Sequence, residues 1–249
     1  MHNKEREEEI LNVLRTQGGF VTVKALCDHL FTSESSVRRD LKALEERGLV
    51  RRAYGGAELS GGIGGFVTFS RRTRQNQAAK RDIARKAAAL VRDGDVIFLD
   101  QSSTAFYLAG ELARRNLTVV TCSIEIMMLL SDSAVRVVAS GGSLSGENRM
   151  CLIGGDARAT FEKVHAAAAF FSAARLSPEG VISDYDREEI LVREAMLQNA
   201  GKKVFLCDST KFGTRAPWRQ CDLADVDVMV SEGNKALRYR PVAEQVVYL

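Results

Sequence analysis

Residues 23–57 read VKALCDHLFTSESSVRRDLKALEERGLVRRAYGGA, and the rest of the chain is interpreted outward from them. Val23, Leu26, Cys27 and Leu30 recur at the spacing of one helical face. After Phe31, Thr32 and Ser33 a second helical pattern begins, with Val37, Leu41 and Leu44. Two helices meet across a tight turn. At about 100° per residue, the second helix turns its apolar stripe inward and leaves Ser35, Arg38, Arg39 and Lys42 outside. Gly48 is expected to stop that helix as a C′ residue, and residues 49–56 read as a small β wing carrying Arg51 and Arg52. This combination suits duplex DNA. The major groove admits one α-helix, guanidinium forks match guanine edges and phosphate oxygens, and glycines let backbone lie close to a phosphate. The residues expected at such an interface are Ser35, Ser36, Arg38, Arg39, Lys42, Arg51, Arg52, Tyr54, Gly55 and Gly56. A helical hairpin with a merely solvated charged face is the alternative, and the agreement of turn, stripe, arginine pair and wing argues against it.

At 249 residues the chain has room for one such module and one larger domain. A net charge of +3 does not by itself indicate nucleic acid, because Glu5, Glu7, Glu8, Glu9, Glu45 and Glu46 balance the arginines near the amino terminus. Placement of charge is the evidence, not its total. Five cysteines, at 27, 122, 151, 207 and 221, show no metal-ligand spacing and read as small core residues in a reducing cytosol. No metal or cofactor is expected. No stretch reaches the length of a membrane span, so a soluble cytoplasmic protein is expected.

Residues 5–16 carry Ile10, Leu11 and Leu14 at helical spacing and complete a three-helix core. The first domain is placed at 1–57. Residues 58–76, with the run Ser60-Gly61-Gly62-Ile63-Gly64-Gly65, are expected to link it to a second domain at 77–249. Arg71, Arg72, Arg74, Lys80, Arg81, Arg85 and Lys86 make the next segment basic. They either touch DNA backbone or are solvated, and solvation is the simpler reading. From Asp95 onward apolar runs at 96–99, 119–120, 135–138, 167–171, 204–206 and 226–230 alternate with helical patterns at 105–114, 124–130, 156–163 and 186–200. That alternation predicts an α/β domain with a mostly parallel sheet.

In such sheets small molecules bind beyond the carboxyl ends of the strands. Directly after four predicted strands stand Asp100-Gln101-Ser102-Ser103-Thr104, Thr121-Cys122-Ser123, Ser140-Gly141-Gly142-Ser143 and Asp208-Ser209-Thr210-Lys211. Ser102, Ser103 and Thr104 open a helix, so hydroxyls and unpaired N–H groups converge with the positive end of the helix dipole behind them. Gly141 and Gly142 bring a second backbone close, Lys211 supplies a positive charge, and Asp100 or Asp208 can accept from hydroxyls. Together with Cys122 these describe a site for a phosphorylated sugar or polyol. Each piece alone is as well explained by a helix cap, a turn or a surface loop. Their shared position favours the joint reading.

The run Ser35-Ser36-Val37-Arg38-Arg39-Asp40-Leu41, with Leu44-Glu45, Gly48 and Gly55-Gly56-Ala57, closely resembles the amino-terminal domain of DeoR-type bacterial transcription regulators, which usually have Thr at the place of Ser36. The remainder resembles their sensor domain, related in fold to ribose-5-phosphate isomerase. That likeness rests on Lys80-Arg81-Asp82-Ile83-Ala84, Asp100 with Ser103-Thr104, Val119-Val120-Thr121, Gly141-Gly142, Gly154-Gly155 and Asp208-Ser209-Thr210-Lys211-Phe212-Gly213. The resemblance implies a cytoplasmic, homo-oligomeric repressor that releases operator DNA when a phosphorylated sugar binds. It places Asp100, Ser102, Ser103 and Thr104 around the phosphate, Gly141 and Gly142 in a second loop, and Lys211 as a cationic wall. The family usually has Gly at the place of Ser102, Asn at that of Cys122 and a glycine-containing loop at 172–175, so the identity of the sugar is not carried over. The isomerase presents carboxylates in the corresponding loop to move a proton. Ser172 to Arg175 offers none, which implies a binding site without catalysis rather than an isomerase carrying an accessory DNA-binding domain.

Overall fold

The computed structural model of the chain describes residues 3–17, 21–47, 49–53, 55–59, 69–146, 148 and 150–249, which form two compact units, 1–72 and 73–249. Gly48, Tyr54 and the glycine-dense run 60–65 lie outside the described residues, as does the side chain of Arg51.

In the first unit helices run over Asn3–Gln17, Val23–Leu30 and Glu34–Glu46. A small antiparallel sheet places Gly56–Leu59 between Val21–Thr22 and Val50–Ala53. The wing is therefore present, and it is anchored by a two-residue strand too short to leave a pattern in the sequence. Ile10, Leu14, Leu26, Val37, Leu41 and Leu44 are buried together, which is why the stripes at helical spacing face one another. Thr22 caps the second helix by accepting the Ala25 N–H at 3.1 Å, and Ser33 caps the third by accepting that of Ser36 at 3.4 Å. Between them Phe31 takes a left-handed conformation (φ 49°, ψ 46°) and donates its N–H to the Cys27 carbonyl. This reverses the chain in few residues. A side chain in that region costs roughly 1–2 kcal/mol.

The second unit is built on seven parallel strands. Their order across the sheet is Val247–Tyr248, Val228–Val230, Lys203–Leu206, Ala168–Phe171, Val96–Leu99, Thr118–Thr121 and Arg136–Ala139. Both faces are covered, so the strands read as continuous apolar runs while their side chains alternate. Phe98, Val120, Phe171, Phe205 and Met229 pack with Phe161 and Met196 from the helices Gly155–Glu162 and Arg187–Gln198. Ile97, Leu99, Val119, Phe170 and Val204 pack on the opposite side with the helices Gln77–Ala88, Ser103–Leu112 and Ile124–Leu130. A second sheet, antiparallel, joins Arg175–Leu176, Val181–Asp184 and Trp218–Asp222, and was not anticipated from the sequence. Among the described residues no helix is long and apolar enough to cross a membrane.

Phe31→Gly should stabilise the first unit by about 1 kcal/mol, the relief of the left-handed side chain less the added entropy of an unfolded glycine. The measurement is a denaturant titration followed by circular dichroism, which reports both units. The only tryptophan, Trp218, is in the second unit and serves as a control by fluorescence. A lowered dichroism midpoint with an unchanged tryptophan midpoint would contradict the strain argument.

Candidate functional site

On the third helix Ser35, Arg38, Arg39 and Lys42 are exposed and Ser36 is half-buried. The hydroxyls of Ser35 and Ser36 each lie 3.0 Å from that of Ser33. Arg38 pairs with Glu34 at 3.2 Å and Lys42 with Glu46 at 3.8 Å, both one turn away on the surface. Such pairs are worth a few tenths of a kcal/mol and exchange readily for phosphate, so about 0.3–0.5 kcal/mol is at stake in each. Arg39 has no acidic partner among the described residues. Asp40, in contrast, is fully buried on the apolar stripe, where Arg6 of the first helix grips it through Nε and, at 3.0 Å, through a terminal nitrogen. That hydrogen bond and charge raise the pKa of Arg6.

The wing cation also has an acidic partner. Arg52 is turned back onto the third helix, its Nε 2.6 Å from Glu45 Oε2 and its backbone N–H donating to Glu45 Oε1 at 2.9 Å. It braces the wing in this structure and is not a free cation. Gly55 has a positive φ of 81°, and its carbonyl accepts the Val23 N–H at 2.8 Å, while Gly56 pairs with Thr22 in the sheet.

In the second unit the chain runs outward through 96–99, 118–121 and 136–139, then returns to place 168–171 on the other side of 96–99. The order reverses between those two strands, and a crevice at their carboxyl ends follows from that topology. Asp100 ends one and Ser172 the other. Asp100 is fully buried: Oδ1 accepts the Ser102 N–H at 3.0 Å, while Oδ2 accepts the Ser172 N–H at 3.0 Å and Arg193 Nε at 3.3 Å. Arg193, from the helix Arg187–Gln198, also donates through Nη1 to Asp184 Oδ2 at 3.2 Å and Gln220 Oε1 at 2.8 Å. Burial opposes its charge, Asp184 and Asp100 outweigh burial, and its pKa is raised.

Lys211 reaches the same crevice. Its Nζ donates to Ser172 Oγ at 2.7 Å and lies 3.9 Å from Asp208 Oδ2. Asp208 is buried and occupied, its Oδ1 accepting from Asn76 Nδ2 at 3.1 Å, from the Thr210 N–H at 3.3 Å and from the Thr210 hydroxyl. Ser102 caps its helix by accepting the Ala105 N–H at 3.1 Å. Ser103 and Thr104 follow it, both buried. Thr104 Oγ1 and, at the end of the strand Arg136–Ala139, Ser140 Oγ are buried with no hydrogen-bond partner among the described residues. Cys122 follows the strand between 96–99 and 136–139, its Sγ 3.7 Å from Gln101 Oε1 and 3.9 Å from Cys151 Sγ. The hydrogen bond with Cys122 and burial hold the Cys151 thiol well above its ordinary pKa.

Gly141 and Gly142 sit at the same edge for a reason the sequence did not reveal. A Cβ on Gly142 would lie 2.3 Å from the Ile153 carbonyl oxygen, and one on Gly141 would lie 3.2 Å from Asp156 Cβ. At Gly142 the lack of a side chain is required by the protein's own backbone, while at Gly141 a side chain would be crowded. Asp100 and Asp208 likewise have internal partners and through them help to set the loops. The edge offers hydroxyls, helix N–H groups and an ammonium, with its carboxylates neutralised. Chemically it can hold an anion. Among the described residues no cluster of His, Cys, Asp and Glu could hold a metal.

Sequence reasoning missed Arg193 and the buried pair of Glu189 and Gln101, whose side chains meet at 2.6 Å. A signal was available, since Glu189, Arg193 and Leu197 fall on the same stripe as Ile190 and Met196.

Comparison with known proteins adds independent findings. A family described as "DeoR-like helix-turn-helix domain" matches residues 6–60, and one described as "DeoR C terminal sensor domain" matches residues 75–233. The chain is 33% identical to the HTH-type transcriptional regulator GolR of Listeria innocua, covering 94% of this chain and 92% of the relative. It is 34% identical to the lactose phosphotransferase system repressor of Lactococcus lactis, covering 85% and 84%. It is 30% identical to the HTH-type transcriptional repressor GlcR of Bacillus subtilis, covering 93% and 89%. A solved ribose 5-phosphate isomerase A from Methanocaldococcus jannaschii aligns over 55% of each chain at 21% identity and a TM-score of 0.42, a likeness too loose to bear on activity.

Arg193→Met would leave Asp100 and Asp184 facing each other's surroundings without their cation. The second unit should lose about 3–5 kcal/mol, the range for breaking a buried ion pair from one side. Trp218 fluorescence during urea unfolding checks this, and a midpoint equal to that of the unaltered chain would remove Arg193 from its central place.

Proposed function

The chain belongs to the DeoR family of DNA-binding transcription regulators, a family of regulators rather than enzymes, and from that premise we propose that it represses a sugar or polyol catabolic operon and leaves its operator when a phosphorylated sugar binds. The observation that carries the effector half of this reading is the pair of buried, unpartnered hydroxyls, Thr104 Oγ1 and Ser140 Oγ. Buried polar groups are otherwise satisfied, so they favour an oxygen-rich ligand. In this reading the phosphate lies at the amino end of the helix Ser103–Leu112, against the N–H groups of Ser103 and Thr104. Lys211 closes its other side. The sugar hydroxyls face Cys122 and the loop of Gly141 and Gly142, with Ser102, Asp100 and Asp208 holding those loops in place. Two of the relatives named above carry the word repressor in their names, and one of those names refers to the lactose phosphotransferase system.

The DNA half assigns base or phosphate contacts to Ser35, Ser36, Arg38, Arg39 and Lys42, with Arg51, Arg52, Tyr54, Gly55 and Gly56 from the wing. A homo-oligomer, dimer or larger, follows because a single winged helix binds weakly and a two-fold protein reads two half-sites. The place of action is the cytoplasm. Release works by population shift: the ligand favours the arrangement of subunits that fits the operator less well.

Purified protein mixed with a panel of sugar phosphates should show a raised melting temperature with one of them and no turnover of any. Turnover would overturn the reading as a regulator without catalysis. Arg39→Ala should weaken operator binding by about 1–3 kcal/mol if the side chain meets a base, and by a similar amount on every sequence if it meets phosphate. A gel-shift titration with no change would remove Arg39 from the interface. Lys211→Met should bind operator normally and no longer be released by the sugar phosphate, whereas normal release would place the anion elsewhere.

A further inference from the structure

Phe31 serves neither of the purposes that keep a phenylalanine in a fold. Its side chain is 95% exposed, so it adds nothing to the core, and its backbone is left-handed, which favours glycine or asparagine. The next most exposed large apolar side chain described in this unit, Leu49, shows 42%. The turn itself does not need the ring. Reversal comes from the Phe31 and Thr32 N–H groups on the Cys27 carbonyl, and the next helix is started by Ser33.

The location of the ring supplies a purpose. Phe31 stands three residues before the helix Glu34–Glu46, and when such a helix enters the major groove its first turn meets the base edges. The exposed side chains of that first turn and of the face behind it are hydroxyls, carboxylates and cations: Ser33, Glu34, Ser35, Arg38, Arg39 and Lys42. They can read hydrogen-bonding groups and phosphates, and none of them ends in an apolar group. The major groove carries one apolar feature, the C5-methyl group of thymine, which only an apolar side chain can read. We propose that Phe31 is a specificity-determining residue whose ring packs on a thymine methyl at the margin of each half-site. This rests on the family's DNA-binding activity and extends it to a base the polar face cannot distinguish.

The test uses the full chain and duplexes selected by it from a randomised pool. A thymine should be enriched at one marginal position. Replacing that thymine by deoxyuridine, which lacks only the methyl, should weaken the unaltered protein about fourfold, the worth of one buried methyl. Phe31→Ala and Phe31→Asn should bind both duplexes equally, keep the central sequence preference and melt no lower than the unaltered chain. Equal sensitivity of Phe31→Ala to the methyl, or insensitivity of the unaltered protein at every thymine, overturns the proposal. A changed sedimentation coefficient with unchanged DNA affinity in Phe31→Ala also overturns it, because the ring would then cover another copy of the chain. If the unaltered protein enriches no sequence at all, DNA recognition itself fails. That outcome is distinct from a failure at Phe31 alone.

Discussion

A guanidinium shut away from water has to be neutralised where it lies, and in the larger unit Arg193 imposes that requirement on everything around it. Its partners come from three places: Asp100 at the end of a central parallel strand, Asp184 on one antiparallel strand and Gln220 on another. Asp100 then uses its remaining capacity on the N–H groups of Ser102 and Ser172. Satisfying one buried charge therefore fixes where a helix begins and where the neighbouring strand ends. The crevice at the reversal of strand order takes its shape from that arrangement. Lys211 joins through the Ser172 hydroxyl, which itself donates to the Leu206 carbonyl at 2.6 Å.

The smaller unit repeats the device with the roles exchanged. There the acid, Asp40, belongs to the helix that faces outward, and the cation, Arg6, comes from a neighbour. A buried pair of this kind adds little net stability compared with apolar residues, yet it is expensive to break from one side, by about 3–5 kcal/mol. Its effect is on orientation. Rotating the third helix about its own axis would unpair Asp40, so the pair fixes which side chains face solvent. Ser35 and Arg39 are outside partly because Asp40 must be inside. Glu45 adds a second constraint by gripping Arg52 through both backbone and side chain, and so sets the wing against the same helix.

Much of this architecture could be read from the sequence, for identifiable reasons. Runs such as 96–99 and 204–206 are apolar on every residue because both faces of a parallel sheet are covered, and Ser33, Ser102 and Asp186 mark helix starts with side-chain caps that the structure contains. What escaped were places where tertiary contacts override residue type. Arg193 and Asp40 are charged residue types that are usually solvated, yet both are buried on an apolar stripe. Nothing in the sequence hinted that the carbonyl of Ile153 occupies the space beside Gly142. The antiparallel sheet escaped because Arg175–Leu176 and Trp218–Asp222 are short or largely polar and carry no clean alternation.

The reach of Arg193 across two sheets has a mechanical corollary. A helix riveted to both cannot slide or roll without stranding a carboxylate, so the core of this unit is a single stiff block. Whatever yields when a small molecule arrives must lie off that block. The helix Ile124–Leu130 and the paired segments Ser143–Leu144 and Leu152–Ile153 supply none of the hydrogen-bond partners of Arg193 among the described residues. Both leave apolar side chains uncovered, Met128 on one and Leu144 on the other. The margin off that block thus also carries exposed apolar surface.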